Sequence, residues 1–276
     1  MNTDSQVYTF IEAGRAERHY WRDLWHFREL FYFLAWRDIA VRYKQTLIGI
    51  AWSLVKPLAT VIVFTLVFGG LAKLPSHGAP YAVFVLVALL PWQFFSSALL
   101  DSSNSLITNS NMISKIYFPR LIVPVSAVIA SFADFLIALV ILAGFLWWYQ
   151  IVPDWKILSL PLFIVLASAI AIGAGLWFAA LNVEYRDFRY IVPFVVQFGV
   201  YVSPVGFGSA IVPEKWQLLY SLNPMVGVID GFRWAIIGGQ PIYWPGVTFS
   251  VLTAVTLLAT GIWYFRKMER HFADII

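Results

Sequence analysis

Residues 121–149 read LIVPVSAVIASFADFLIALVILAGFLWWY. Twenty-nine residues carry one charge, Asp134, set in Leu, Ile, Val, Ala and Phe. A helix needs only ~20 apolar residues to cross the ~30 Å hydrocarbon core of a bilayer. The run therefore predicts a membrane span long enough to tilt, kink at Pro124 or extend beyond the lipid. A carboxylate at mid-bilayer costs at least ~2.5 kcal/mol, so Asp134 needs a partner or a function. Ser131, one turn before it, supports hydrogen-bonded packing over proton relay, the alternative role for such a group.

Outward from this run lie five more of the same kind, at 50–72, 81–100, 157–181, 191–207 and 247–265. The 191–207 run is the shortest and carries Pro193 and Pro204. Only Lys56 and Asp134 among all Lys, Arg, Asp and Glu fall inside the six. So little intramembrane charge is poor equipment for an ion pump and places the motor outside the lipid. The composition agrees: of 276 residues, 60% are hydrophobic and 12% charged, against about a quarter charged in a soluble domain. The expected fold is an all-α integral membrane protein with six transmembrane helices. Its expected parts are a cytoplasmic segment at 1–49, a transmembrane domain at 50–265 and a cytoplasmic tail at 266–276.

Positive charge orients such a chain. Arg15, Arg18, Arg22, Arg28, Arg37, Arg42 and Lys44 precede the first span. Lys115, Arg120, Arg186 and Arg189 fall in the second and fourth loops, and Arg266, Lys267 and Arg270 in the tail. Only Lys73, Lys156, Lys215 and Arg233 fall on the other side. Both termini are thus expected in the cytoplasm of a multi-pass protein of the bacterial inner membrane. This bias accounts for the basic pI of 9.2 without a nucleic-acid partner.

Three segments outside the spans are amphipathic. Residues 19–44 mix Trp21, Leu24, Trp25, Phe31 and Leu34 with charged residues, and Asp38 and Arg42 are spaced for an i,i+4 pair. This predicts an interfacial helix, either a plain anchor or a collar that also touches a cytoplasmic partner. Residues 101–120 place Leu106, Ile113 and Tyr117 at intervals of seven and four, the stripe of a docking helix or of a solvated loop. In the outward loop 209–246, Pro213 starts one short helix and Asn223-Pro224 another. The second is too short to span. It carries Asp230 and Arg233 spaced to pair, and suits a re-entrant outer gate or a static cap.

Catalytic and metal chemistry lack candidates. No phosphate-cradling G-x-x-x-x-G-K-[ST], no G-x-S-x-G and no H-E-x-x-H occurs. The chain has no cysteine, and its four histidines (19, 26, 77, 271) are scattered. No metal site is expected. Glu184, Arg186, Asp187 and Arg189 form the densest charged cluster; they pair with one another, or meet a partner or an anionic headgroup. Lys56 either snorkels to the headgroups or attracts a phosphate. Phe194, Phe198 and Tyr201 share a helix face and, with Phe64 and Phe68, suit either lipid-facing packing or a pathway where sugar C–H faces stack on rings.

Five fragments then resemble one family in order: RYKQTLIGIAWSLVKP (42–57), LLPWQFF (89–95), KIYFPR (115–120), NVEYRD (182–187) and LNPM (222–225). They are similar to ABC-2 type polysaccharide export permeases. The resemblance implies a C2 homodimer bound to two copies of a separately encoded ABC ATPase, which holds ATP and Mg, so this chain needs no cofactor. It implies export of a polyprenyl-diphosphate-linked glycan, O-antigen foremost, with teichoic acid, capsule, lipo-oligosaccharide or a small lipid or drug as alternatives. A membrane enzyme of polyprenyl-phosphate metabolism is the reading from another class. The implied roles are pathway for Phe64, Phe68, Phe194, Phe198 and Tyr201, and headgroup entrance for Lys56, Arg186 and Arg189. ATPase coupling falls to Arg37, Arg42, Ile107, Ile113, Lys115 and Tyr117, and the outer gate to Trp216, Tyr220, Asp230 and Arg233.

Overall fold

A computed structural model describes residues 16–44, 47–239, 241–270 and 272. Residues 1–15 of the expected cytoplasmic segment, Arg15 among them, and residues 271 and 273–276 of the tail lie outside the described residues, as do the side chains of Arg18 and Lys44. All regular elements among the described residues are helical.

The 19–44 segment forms two helices rather than one, α1 (Ala16–His26) and α2 (Arg28–Lys44), with a turn at Phe27. The first span is α3 (Leu47–Phe64), which widens into a π-helical segment over Thr65–Leu71. The second, α4 (Tyr81–Thr108), holds 28 residues and is about 42 Å long. It thus outruns the bilayer, and the polar residues 101–108, expected as loop, are its last two turns. A single short turn, α5 (Ser110–Ile113), follows.

The opening run becomes α6 (Ile122–Trp148). Pro124 sits in its first turn, where the missing N–H is an orphan anyway, so no kink is required there. A 3-10 turn at Trp155–Ser159, capped by the Asp154 carboxylate on the Trp155 N–H (2.8 Å), leads into α7 (Leu160–Glu184). α8 (Phe188–Val202), α9 (Glu214–Tyr220), α10 (Pro224–Ile236) and α11 (Trp244–Glu269) complete the chain.

Among the described residues five helices are long and apolar enough to cross a membrane. The sixth expected span falls short: α8 has 15 residues, about 22 Å against ~30 Å of hydrocarbon. Its chain turns at Ser203-Pro204, because Pro204 has no N–H to continue the helix. Of its apolar side chains, Ile191, Phe194, Val195, Phe198, Tyr201 and Val202 remain exposed, while Val192 is buried.

α4 is the axis of the bundle. In its most apolar stretch 72% of residues are buried, against 17% over residues 54–71 of α3 and its π-helical continuation. It packs on α6 and α7, while α7 packs on α11. The α7–α11 contact passes through glycine: a Cβ on Gly173 would lie 2.6 Å from the Leu257 carbonyl carbon, and one on Gly261 2.5 Å from the Gly173 oxygen. With no hydrophobic drive between helices in lipid, such close backbone contact supplies the van der Waals energy.

α10 packs into the bundle. Asn223 caps it (Met225 N–H to Oδ1, 3.1 Å) and Pro224 takes its first position. Met225, Val228, Ile229, Phe232 and Ile236 are all buried against α4, α7 and α11. This helix is therefore part of the core.

Candidate functional site

Three regions gather the functional candidates. The first is at the end of the bundle where α1 and Phe272 pack and where α2 is tied to the spans. Arg42 forks between two carboxylates: one nitrogen meets Asp101 of α4 at 2.8 Å, the other meets Asp134 of α6. The Tyr43 hydroxyl donates to the second oxygen of Asp134, and Ser131 Oγ donates to Asp101 at 2.8 Å. The expected Asp38–Arg42 pair does not form; Asp38 takes Arg37 instead, at 2.7 Å. Ser131 serves Asp101, not Asp134. A guanidinium fork matches two carboxylates in a way an ammonium does not, which explains an arginine here. One turn back, Arg37 donates to the side chain of Asn109, just past α4 (2.7 Å).

An apolar cluster seals the same end. Leu34 of α2, Leu106, Ile113, Phe118, Ile122, Leu176, Phe265 and Phe272 are buried together. Tyr20 of α1 joins them, with Arg266 over its ring at 4.5 Å. Burial pushes the Tyr20 phenol far above its usual range, with the Glu269 charge adding to the rise. Arg120 fastens the tail: its N–H meets Glu269 Oε1 (2.8 Å) and its Nη1 the Glu269 carbonyl (2.6 Å). Of the six coupling candidates, Arg37, Arg42 and Ile113 are thus engaged internally and Ile107 is half-buried. Lys115 and Tyr117 are exposed, with Ile116 between them.

The second region is the face shared by α3 and α8. Phe64 is buried and meets Phe68 edge-on (centroids 5.3 Å apart) and Tyr201 at 6.2 Å. Phe194 and Phe198 lie 4.4 Å apart, and with Tyr201 all three are exposed. The five pathway candidates thus form two touching groups. α8 rests on α4 through Gly199, where a Cβ would come within 2.5 Å of the Trp92 ring. Lys56, Arg186 and Arg189 are exposed, and among the described residues no ion pair links Glu184, Arg186, Asp187 and Arg189.

The third region is at the opposite end, around α9 and α10. Arg233 is 8% exposed and donates to three main-chain carbonyls: Phe207 (2.8 Å), Val205 (3.0 Å) and Phe84 (3.4 Å). Its guanidinium carbon also lies 3.7 Å from the Phe84 ring centre. The expected Asp230–Arg233 ion pair is absent among the described residues; Asp230 faces Ser209. Arg233 instead knits the α8–α9 connection to α4. Trp216 is exposed and Tyr220 partly buried. Among the described residues no group of three His, Asp or Glu gathers to hold a metal.

Sequence reasoning missed Asp101 and Tyr43 as partners of Asp134 and Arg42. The available signal was the cost of an unpaired Asp134, which demands a cation from outside the spans.

The family model for the ABC-2 type transporter matches residues 29–237, which holds all three regions but for α1 and α11. An O-antigen export system permease protein of Klebsiella pneumoniae is 28% identical over 241 residues, covering 87% of this chain and 92% of the relative. One from Myxococcus xanthus is 24% identical across 92% of this chain and 98% of its own length. A polysialic acid transport protein of Escherichia coli is 24% identical across 84% and 91%. These relatives are transporter subunits, not enzymes. With a match spanning most of its length and an all-helical membrane fold, the chain belongs to the ABC-2 type transporter family.

Proposed function

We propose that this chain is the membrane subunit of an ATP-driven exporter of a polysaccharide carried on polyprenyl diphosphate, of the O-antigen class. One observation carries the reading: the exposed aromatic face of Phe194, Phe198 and Tyr201 on α8, in a chain whose relatives are named for O-antigen export. Flat pyranose C–H faces stack on rings without a fixed hydrogen-bond code, so a polymer slides past them. The relative named for polysialic acid transport supports a second reading, capsule export by the same route.

In the proposed assembly two copies form a C2 homodimer in the bacterial inner membrane, with both termini cytoplasmic. Two ATPase subunits hold ATP and Mg and dock beneath α1, α2 and the 110–118 segment. Lys56, Arg186 and Arg189, all exposed cations, receive the diphosphate of the lipid carrier. ATP-driven closure of the ATPases moves α2, and Arg42 passes that motion to α4 and α6. Trp216, Tyr220, Asp230 and Arg233 belong to the outer gate. The parts follow residues 1–49, 50–265 and 266–276.

The test is export in cells lacking the gene. Wild type restores surface polysaccharide, and the triple change Phe194→Ala, Phe198→Ala, Tyr201→Ala abolishes it while leaving protein level unchanged. Full export by the triple variant would overturn the stacking pathway.

A further inference from the structure

A cavity of about 400 Å³ opens beside Arg233 at the α9–α10 end of the fold. Its size falls in the ~300–1,000 Å³ range of small-molecule sites. His77 from the α3–α4 turn, Ser209, Gln217, Tyr220, Asp230 and Trp234 are among its walls, with Tyr243 closing one side. We propose that this cavity binds a neutral saccharide unit, one or two sugar rings, at the exit end of the chain. The inference rests on the polysaccharide reading above.

Three observations fix the ligand class. The two formal charges of the wall, Asp230 and Arg233, are of opposite sign, and Arg233 commits each of its three nitrogens to a carbonyl, of Phe84, Val205 or Phe207. The wall thus carries no net formal charge to hold a phosphate, and the Asp230 carboxylate would repel one. The remaining polar groups mix donors and acceptors: the Gln217 amide, the Ser209 and Tyr220 hydroxyls and the His77 ring. Vicinal sugar hydroxyls, each donor and acceptor at once, match such a set. Trp234 and Tyr243 add flat ring surface for the C–H face of a pyranose.

The Tyr220 hydroxyl is the most telling group. It is buried and has no hydrogen-bond partner. An orphaned buried hydroxyl costs about 1–3 kcal/mol, so folding alone favours phenylalanine there. A ligand hydroxyl would complete it. The orphan is thus a stability cost that saccharide binding recovers.

The absence of cysteine from the chain provides the experiment. Ala210→Cys at the cavity and Lys215→Cys outside it each give one thiol, with Ser209→Cys as a second cavity reporter. The complex with its ATPase, in lipid nanodiscs, is alkylated by a small methanethiosulfonate with millimolar mannose, galactose, rhamnose or N-acetylglucosamine, or with inorganic phosphate. The expected result is that at least one sugar slows alkylation at Ala210→Cys and Ser209→Cys, and not at Lys215→Cys. Tyr220→Phe then raises the half-protecting concentration about three- to tenfold, the worth of one hydrogen bond. No protection by any sugar, equal protection at Lys215→Cys, stronger protection by phosphate, or indifference to Tyr220→Phe each overturns the site. Export in cells, measured in parallel, separates the two readings. Normal polysaccharide export without protection sinks the cavity alone; protection without polysaccharide export sinks the export reading alone.

Discussion

At the scale of single residues, the chain settles the cost of Asp134 by bringing a cation in from outside its spans. Arg42, Asp101, Asp134, Tyr43 and Ser131 close a network in which each carboxylate takes two donors. Its charged members are a quarter to about a third exposed, so water screens part of the Coulomb energy and the hydrogen bonds carry the rest. Asp134→Ala should lower stability by about 1–3 kcal/mol, because it strands one arm of Arg42 and the Tyr43 hydroxyl. Thermal unfolding of the purified protein, followed by size-exclusion, measures this. Arg42→Ala combined with Asp134→Ala should cost less than the two singles summed, with a coupling of about 0.5–3 kcal/mol. Strict additivity would show that the fork is not a working contact. Arg233 belongs to the same scale. Arg233→Lys keeps the charge but loses the planar fork that reaches three carbonyls, and should cost more than Lys215→Ala on the open surface of α9, by at least about 1 kcal/mol.

Between elements, the spacing of glycine decides how closely helices approach. Gly173→Leu would drive a side chain into the α11 backbone at Leu257–Leu258, so α7 and α11 must separate. The expected outcome is loss of folded protein on expression, while Gly144→Leu on α6, with open space about its Cβ, is tolerated. Equal yields of the two would contradict the close crossing. The same scale shows what the sequence made legible. The long runs at 81–100, 121–149, 157–181 and 247–265 announced their spans because apolar length is nearly all that a span requires. The interior of α10 was legible in part, since Met225, Val228, Ile229, Phe232 and Ile236 recur on one face and are all buried, but Val226, Arg233 and Ala235 off that face are buried too. What composition concealed were pairings between distant segments. Arg42 had a local partner at Asp38, yet its carboxylates lie 59 and 92 residues away, and no periodicity encodes that choice. Leu106 and Ile113 read as a stripe awaiting another protein, but α1, α2 and the ends of α7 and α11 cover it. The end of α8 escaped because hydropathy continues past Val202 while Pro204 stops the helix.

Over the whole molecule, the apolar surface left open indicates what the single chain lacks. Residues 114–117 run between two buried anchors, Ile113 and Phe118, and hold Ile116 and Tyr117 out in the open at the end where α1 and α2 lie. In the proposed orientation this end is cytoplasmic, where no lipid covers such exposed apolar side chains, and they fit a protein partner. This chain has no G-x-x-x-x-G-K-[ST] phosphate-binding loop, and in the proposed assembly a separate motor sits on that surface. The purified chain alone should therefore show no ATP hydrolysis, and co-expression with its cognate ATPase should yield a complex that hydrolyses ATP. Ile116→Asp with Tyr117→Ala should weaken recovery of that complex at least about tenfold, since two exposed apolar anchors are each worth ~1 kcal/mol or more at an interface. The melting temperature of the isolated chain should stay unchanged, because neither side chain is packed. If the double variant binds the ATPase as wild type does, the docking surface lies elsewhere on α1 and α2. If the isolated chain hydrolyses ATP, the motor is not a separate subunit, and the transport scheme built on Arg42 loses its source of motion.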